Sequence, residues 1–248
     1  MHYKTVVILA KSQQRDGYCI AGRELFLDRK KNCLGKWLRL VSADKFSHGA
    51  ILPSHLSDDQ DVSVLDVVLV PIKSKQPKPG QPDNVLIDES DRWVAKGKMP
   101  AVVMSGFVES PSNLWWQTDV PSHIVPADKD DKKHVPQSLY IIQGHQLSFT
   151  LSHRFNRFTG KFERKIKASF YYQSELYENF SVRDTKVRRM LSGQYPDVGM
   201  PDKVVTLLKG DHYFLCVSLG ASFGSQKNHY KSVLTVFDFD GYLQSNYA

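Results

Sequence analysis

Six cations fall between residues 150 and 172: Arg154, Arg157, Lys161, Arg164, Lys165 and Lys167, against the single carboxylate Glu163. Phe155, Phe158, Phe162, Phe170, Tyr171 and Tyr172 are interleaved with them. Single-stranded nucleic acid needs both parts: cations neutralise its phosphates, and aromatic faces stack its bases. Phe149, Phe162, Phe170 and Tyr172 fall on the face expected to be core by a period of two. Phe155 and Phe158 sit at the turn and are the better stacking candidates. Arg183, Lys186, Arg188 and Arg189 extend the positive surface or form an ordinary solvated helix face. Trp115 and Trp116 are adjacent in a loop-like stretch. Either one anchors the core while the other faces a ligand, or both are buried.

Other chemistry finds less support. Gly220-Ala-Ser-Phe-Gly224 matches a nucleophile elbow, but polar sequence follows and His229 precedes Asp238, the wrong order. It reads as a strand-ending turn. Asp58, Asp59 and Asp61, and again Asp88, Glu89 and Asp91, cluster in loop-like sequence and read as caps and solvated turns. The nine histidines show no zinc-binding spacing, and no phosphate-binding glycine motif occurs. No cofactor or metal is expected. Cys19, Cys33 and Cys216 form no C-x-x-C pair and read as free thiols in a reducing compartment.

These residues must be held by strands. Lys4–Ala10 reads as a buried strand, Gly17–Gly22 as a glycine-bracketed connection, and Lys36–Val41 as a half-buried strand. Leu65–Ile72 follows as a strand, then a proline-rich loop at 73–83, then short extended pieces at 84–88 and 92–94. Beyond the polar segment 126–137, strands are expected at 138–143, 147–155, 162–172, 176–182, 203–208, 212–219 and 230–239. Asn156–Gly160 is the turn of a hairpin across 147–172. Asp184–Leu191 is the clearest helix, capped by Asp184. The fold class is mainly β: two small OB-like β-barrels with one or two short helices. The segment 126–137 divides them into 1–130 and 136–248.

The chain of 248 residues is 41% apolar and 24% charged, ordinary globular usage that excludes a disordered chain, a coiled coil and a collagen. Its net charge is +7. A focused basic patch attracts polyanions. Val6–Ala10, the longest apolar run, is too short to span a membrane or to serve as a signal core, so a cytoplasmic protein without a membrane partner is expected.

Several short motifs, in order, resemble the bacterial dual OB-containing domain family. They are Val6–Ser12, Cys19–Gly22 with Glu24, Gly35–Val41, Leu65–Val68, Asn84–Asp88 with Trp93-Val94, and Pro111–Trp115. In the second half they are Ser138–Ile141, Lys165–Tyr172, Ser181–Asp184 and Val217–Phe223. The resemblance implies two OB-like barrels and a nucleic-acid-binding or sensing role, often in bacterial conflict systems. It implies no catalytic residues. Ser12, Cys19, Gly22, Glu24, Trp37 and Arg39 fall at recurring positions of the family, either as a site or as packing. Arg39, on an otherwise apolar strand, suits a phosphate.

The favoured function is non-catalytic binding of nucleic acid, single-stranded by preference, in a defence or repair system. Its surface comprises Arg39, Trp115, Trp116, Arg154, Phe155, Arg157, Phe158, Lys161, Arg164, Lys165, Lys167, Arg188 and Arg189. One alternative is a protein-interaction adaptor anchored by Trp115 or Trp116. Another is an enzyme acting on nucleotides through Cys19, Glu24 and Arg39.

Overall fold

A computed structural model describes residues 2–14, 17–28, 31–44, 49–56, 61–115, 123–126, 135–157, 159–206, 212–225 and 227–238. The first sheet comprises β1 (His2–Gln14), β2 (Gly17–Asp28), β3 (Lys31–Val41), β4 (Asp66–Lys75), β5 (Asn84–Ile87) and β6 (Val94–Lys98). Hydrogen bonding runs β1-β2-β3-β5-β4, and β4 returns to β1 to close a five-stranded barrel. Within it β3 and β5 are parallel. β6 adds to β4 outside the closed ring.

The second sheet comprises β7 (Ile124–Val125), β8 (Leu139–Asn156), β9 (Lys161–Tyr172), β10 (Glu175–Val182), β11 (Lys203–Val205), β12 (His212–Leu219) and β13 (His229–Asp238). Here the order is β8-β9-β10-β13-β12, closed by β12 on β8, with β10 and β13 parallel. The same five-strand order therefore occurs twice, and it is that of an OB barrel. A short helix, α1 (Thr185–Met190), lies between β10 and β12. Asp184 caps it as expected, its Oδ1 accepting from the amides of Lys186 and Val187. In the first barrel a 3-10 turn at Pro53–His55 takes that place. The second sheet already includes Ile124–Val125, ahead of the polar segment. Most of 126–137 lies outside the described residues.

Two expectations about strands change. Gly17–Gly22 is not a connection but the start of β2. Its glycines allow close approach rather than turning. A Cβ on Gly22 would stand 2.0 Å from the Val7 carbonyl oxygen, and one on Gly17 2.6 Å from that of Ile51. The segments at 138–143 and 147–155 are one strand, β8, bent at a bulge where Gln146 takes a φ of 49°.

Apolar side chains gather in three clusters. Val6, Ile8, Ile20, Leu40, Val70 and Trp93 belong to the first barrel's interior. Phe149, Leu151, Ile166, Phe170, Tyr177 and Leu215 belong to the second's. The third cluster joins the barrels. Val7, Leu9, Ala21, Leu25 and Trp37 of β1–β3 meet Leu139, Ile141, Phe214, Cys216, Leu234 and Phe237 of β8, β12 and β13. β1 is thus buried on both faces, which is why Val6–Ala10 reads as an unbroken apolar run.

One cation is trapped in the second barrel. Lys231 is 1% exposed, and its Nζ has no hydrogen-bond partner. It lies 5.9 and 5.8 Å from the ring centroids of Tyr177 and Phe180. Burial pushes its pKa down to about 7, from 10.5. Between those values the unfolded chain binds the proton and the folded chain does not. Stability therefore rises as pH rises from about 7 towards 10.5, and Lys231→Met should remove that rise in denaturation curves taken across the range. Gly22→Ala should lower stability by about 3 kcal/mol in the same assay. Gly106→Ala, where an added Cβ meets nothing within 4 Å, is the neutral comparison.

Candidate nucleic-acid interface

β8 and β9 pair in register to the tip of their hairpin, with Ser152 opposite Lys165, His153 opposite Arg164, Phe155 opposite Phe162 and Asn156 opposite Lys161. The barrel does not reach that far. Leu151 and Ile166 form the last wholly buried pair. The next inward pair is covered by Tyr195: His153 stacks on its ring at 5.8 Å, and the Arg164 guanidinium lies 5.1 Å from its centroid. Arg164 Nε donates to His153 Nε2 at 3.1 Å, so that nitrogen carries no proton. His153 Nδ1–H then donates to the Pro196 carbonyl at 2.9 Å.

Phe155 and Phe162 come next and are exposed, at 53% and 52%. Their centroids are 5.3 Å apart, with ring planes at 63°. Phe162 was expected in the core from its alternation with Ile166 and Phe170. The phase is right, but the strand overruns the barrel, so the inward face becomes a surface. Phe149, Phe170 and Tyr172 are core as expected.

The turn is closed by Gly160, whose φ is 66° and whose amide donates to the Asn156 carbonyl at 2.9 Å. Glu163 accepts from Asn156 Nδ2 at 2.6 Å and from Thr159 Oγ1 at 3.2 Å. The hairpin's one carboxylate is therefore engaged by the turn. Arg154 pairs with Asp202 at 2.6 Å. Arg157, Lys161 and Lys165 are exposed and have no carboxylate partner among the described residues. Lys167 donates to Ser181 Oγ at 2.9 Å. Burial, then Arg183 and Lys165, push its pKa down.

The other sequence candidates lie elsewhere. Trp115 is 4% exposed, with its Nε1–H donating to the Gln137 carbonyl at 2.9 Å and its ring 5.2 Å from that of Tyr140. Trp116 and Phe158 lie outside the described residues. Arg39 is at the joint between the barrels. Its Nη2 donates to Ser138 Oγ at 3.0 Å, Ser218 Oγ at 2.9 Å and the Leu219 carbonyl at 3.3 Å. Asp83 stands behind Ser138, accepting from its amide and its hydroxyl at 2.5 and 2.8 Å. A second polar group centres on Glu109, which accepts from Trp37 Nε1 and Gln137 Nε2, each at 2.8 Å, and pairs with Arg23 at 3.3 Å. Arg188 and Arg189 line a cleft between the barrels, off the hairpin.

The Ser12, Cys19, Glu24 and Arg39 cluster is assembled in part. Ser12 stands opposite Cys19 on the neighbouring strand, and the Cys19 thiol donates to the Gln14 side-chain carbonyl. Burial raises the thiol pKa and keeps it protonated, with Arg39 the largest opposing influence. Glu24 pairs instead with Lys4. Among the described residues no group of His, Cys, Asp and Glu is arranged to hold a metal. Gly220–Gly224 falls in the β12–β13 connection, where Phe223 is 76% exposed. Phe223 figured in the sequence only within the Gly220–Gly224 and Val217–Phe223 motifs, and nothing singled out Tyr195. No local period marks them, because their roles depend on the hairpin's reach and on loop closure.

Two fused barrels of one strand order define a tandem OB-fold protein. The sequence model of the dual OB-containing domain family matches residues 4–236, nearly the whole chain, and the protein belongs to that family. No curated protein matches it. No helix among the described residues is long and apolar enough to cross a membrane.

Arg39→Ala should show itself in folding rather than in ligand affinity. It strips the donor from the Ser138 and Ser218 hydroxyls and removes a positive charge that favours the ionised form of the half-buried Asp83. Leaving such hydrogen-bonding groups without their partner costs about 1–3 kcal/mol, read as a lowered denaturation midpoint.

Proposed function

We propose that the protein binds single-stranded nucleic acid at the overhanging β8–β9 hairpin of its second barrel. OB barrels bind oligonucleotides on the face of their second and third strands and on the loops joining strands 1–2 and 4–5. In the first barrel that face carries Ala21, Arg23, Trp37 and Arg39, and the second barrel covers it. In the second barrel the corresponding strands, β9 and β10, contribute nothing to the shared apolar cluster. The 1–2 loop there is the overhanging hairpin tip, and the 4–5 loop carries Phe223.

The observation that carries the reading is the exposed Phe155–Phe162 pair on one face of a hairpin whose other face carries Lys161 and Lys165, with Arg157 at its tip. Two half-exposed phenyl rings on a cationic hairpin are poorly solvated alone. A stacked base covers their faces while the cations meet its phosphates. Stacking tolerates any base, so little sequence preference is expected. The family resemblance adds the expectation of a role in bacterial conflict systems. The adaptor alternative rests on an exposed Trp115 or Trp116; Trp115 is buried, and Trp116 lies outside the described residues.

Fluorescence anisotropy with labelled single strands and duplexes tests this. Single strands should bind more tightly, with affinity falling steeply as salt rises. Arg157→Glu with Lys161→Glu should weaken all sequences alike and flatten the salt dependence. Phe155→Ala should cost about 1–3 kcal/mol of binding with the salt slope kept. Unchanged affinity in both variants would rule out the hairpin as the contact surface.

A further inference from the structure

A cleft separates α1 from the first barrel, and none of its lining residues belongs to β8 or β9. It has two adjoining lobes of about 310 and 350 Å³ that share Gln13 and Thr185. The second lobe is lined by the polar residues Gln13, Arg183, Thr185 and Arg188. The first is mixed: Lys11, Lys186 and Arg189 stand beside Tyr18, Val64 and Leu234.

The charges here are unbalanced. Of the two carboxylates in the lobes, Asp61 pairs with Lys11 at 2.5 Å. Asp184 accepts from the amides of Lys186 and Val187 through Oδ1 and from the Val236 amide through Oδ2, at 2.8, 3.1 and 2.9 Å. Arg188 donates to the Val182 carbonyl at 3.3 Å. Neither Arg183 nor Arg189 has a carboxylate partner among the described residues. Cations gathered at a concave surface repel one another unless an anion joins them. The guanidinium fork matches phosphate oxygens two at a time.

We propose that this cleft binds a nucleoside di- or triphosphate. The phosphates occupy the lobe of Arg183 and Arg188. The nucleoside occupies the first lobe, bordered by Tyr18, whose ring carries the Lys11 ammonium 4.0 Å from its centroid, and by the edges of Val64 and Leu234. Each lobe is of the size that encloses part of a small ligand. Because Lys11, Gln13 and Tyr18 come from the first barrel and the arginines from the second, a bound nucleotide bridges the two.

Calorimetric titration of the full chain with ADP, GDP, CDP and UDP, and with inorganic pyrophosphate, decides the matter. At least one nucleotide should bind at one per chain, tenfold or more tighter than pyrophosphate. Arg183→Ala with Arg189→Ala, both exposed, should weaken it tenfold or more without moving the melting temperature. The hairpin variant Arg157→Glu with Lys161→Glu should keep full nucleotide affinity, so failure of the single-strand reading leaves this one standing. No saturable binding by any of the four at millimolar concentration would overturn it. So would equal affinity in the arginine variant, or pyrophosphate binding as tightly as the nucleotides.

Discussion

The packing of one barrel's outer strand face against the other barrel is the contact on which the rest of the structure depends. Val7, Leu9, Leu25 and Trp37 have no water-facing side left, since β1 fills its own barrel with the alternate residues. Burial of a side chain of this size stabilises by about 1.5–3 kcal/mol, so the joint is a third core and not a loose contact. It also fixes an asymmetry. Both barrels have one strand order, but the first presents strands 1–3 to the joint and the second presents strands 1, 4 and 5. Only the second keeps its β9–β10 face open.

A joint of this kind must also satisfy polar groups that cannot be moved out of it. Arg39 and Arg23 project from the strands whose other residues form the joint. The structure answers with two compact networks. Ser138, Ser218 and Asp83 surround Arg39, and Glu109 gathers Arg23, Trp37 and Gln137. Partners reach across sequence separations of 99 and 179 residues for Arg39 alone. Such networks specify how two apolar surfaces are set against each other more than they add attraction.

That distance in sequence separates what was legible from what was not. The strands of the second barrel follow from local alternation, except that the two expected at 138–143 and 147–155 are the single strand β8, and the Asp184-capped helix follows from its cap. The phase of β9 also follows from alternation, down to the side on which Phe162 lies. What alternation cannot report is where the partner layers stop, and Phe162 fell outside for that reason. Gly17 and Gly22 carry the same composition whether a chain turns or a neighbouring carbonyl comes close. Arg39 drew attention as a cation among apolar residues, but the hydroxyls that explain it lie on the other barrel. The arginines of α1 were visible as a basic run. The cleft they face was not, because Lys11, Gln13 and Tyr18 come from the opposite end of the chain.

The overhang of the β8–β9 hairpin has a dynamic consequence. At its root, Leu151 and Ile166 are held by the barrel core. At its tip, the ladder is supported by one ring pair and the side chains around Glu163. Backbone amides near 166 open only with the barrel, whereas those of Thr159, Gly160 and Lys161 open locally at far smaller cost. Hydrogen exchange should therefore run as a gradient along a single pair of strands. A surface built on that gradient keeps its register at one end and adjusts its shape at the other.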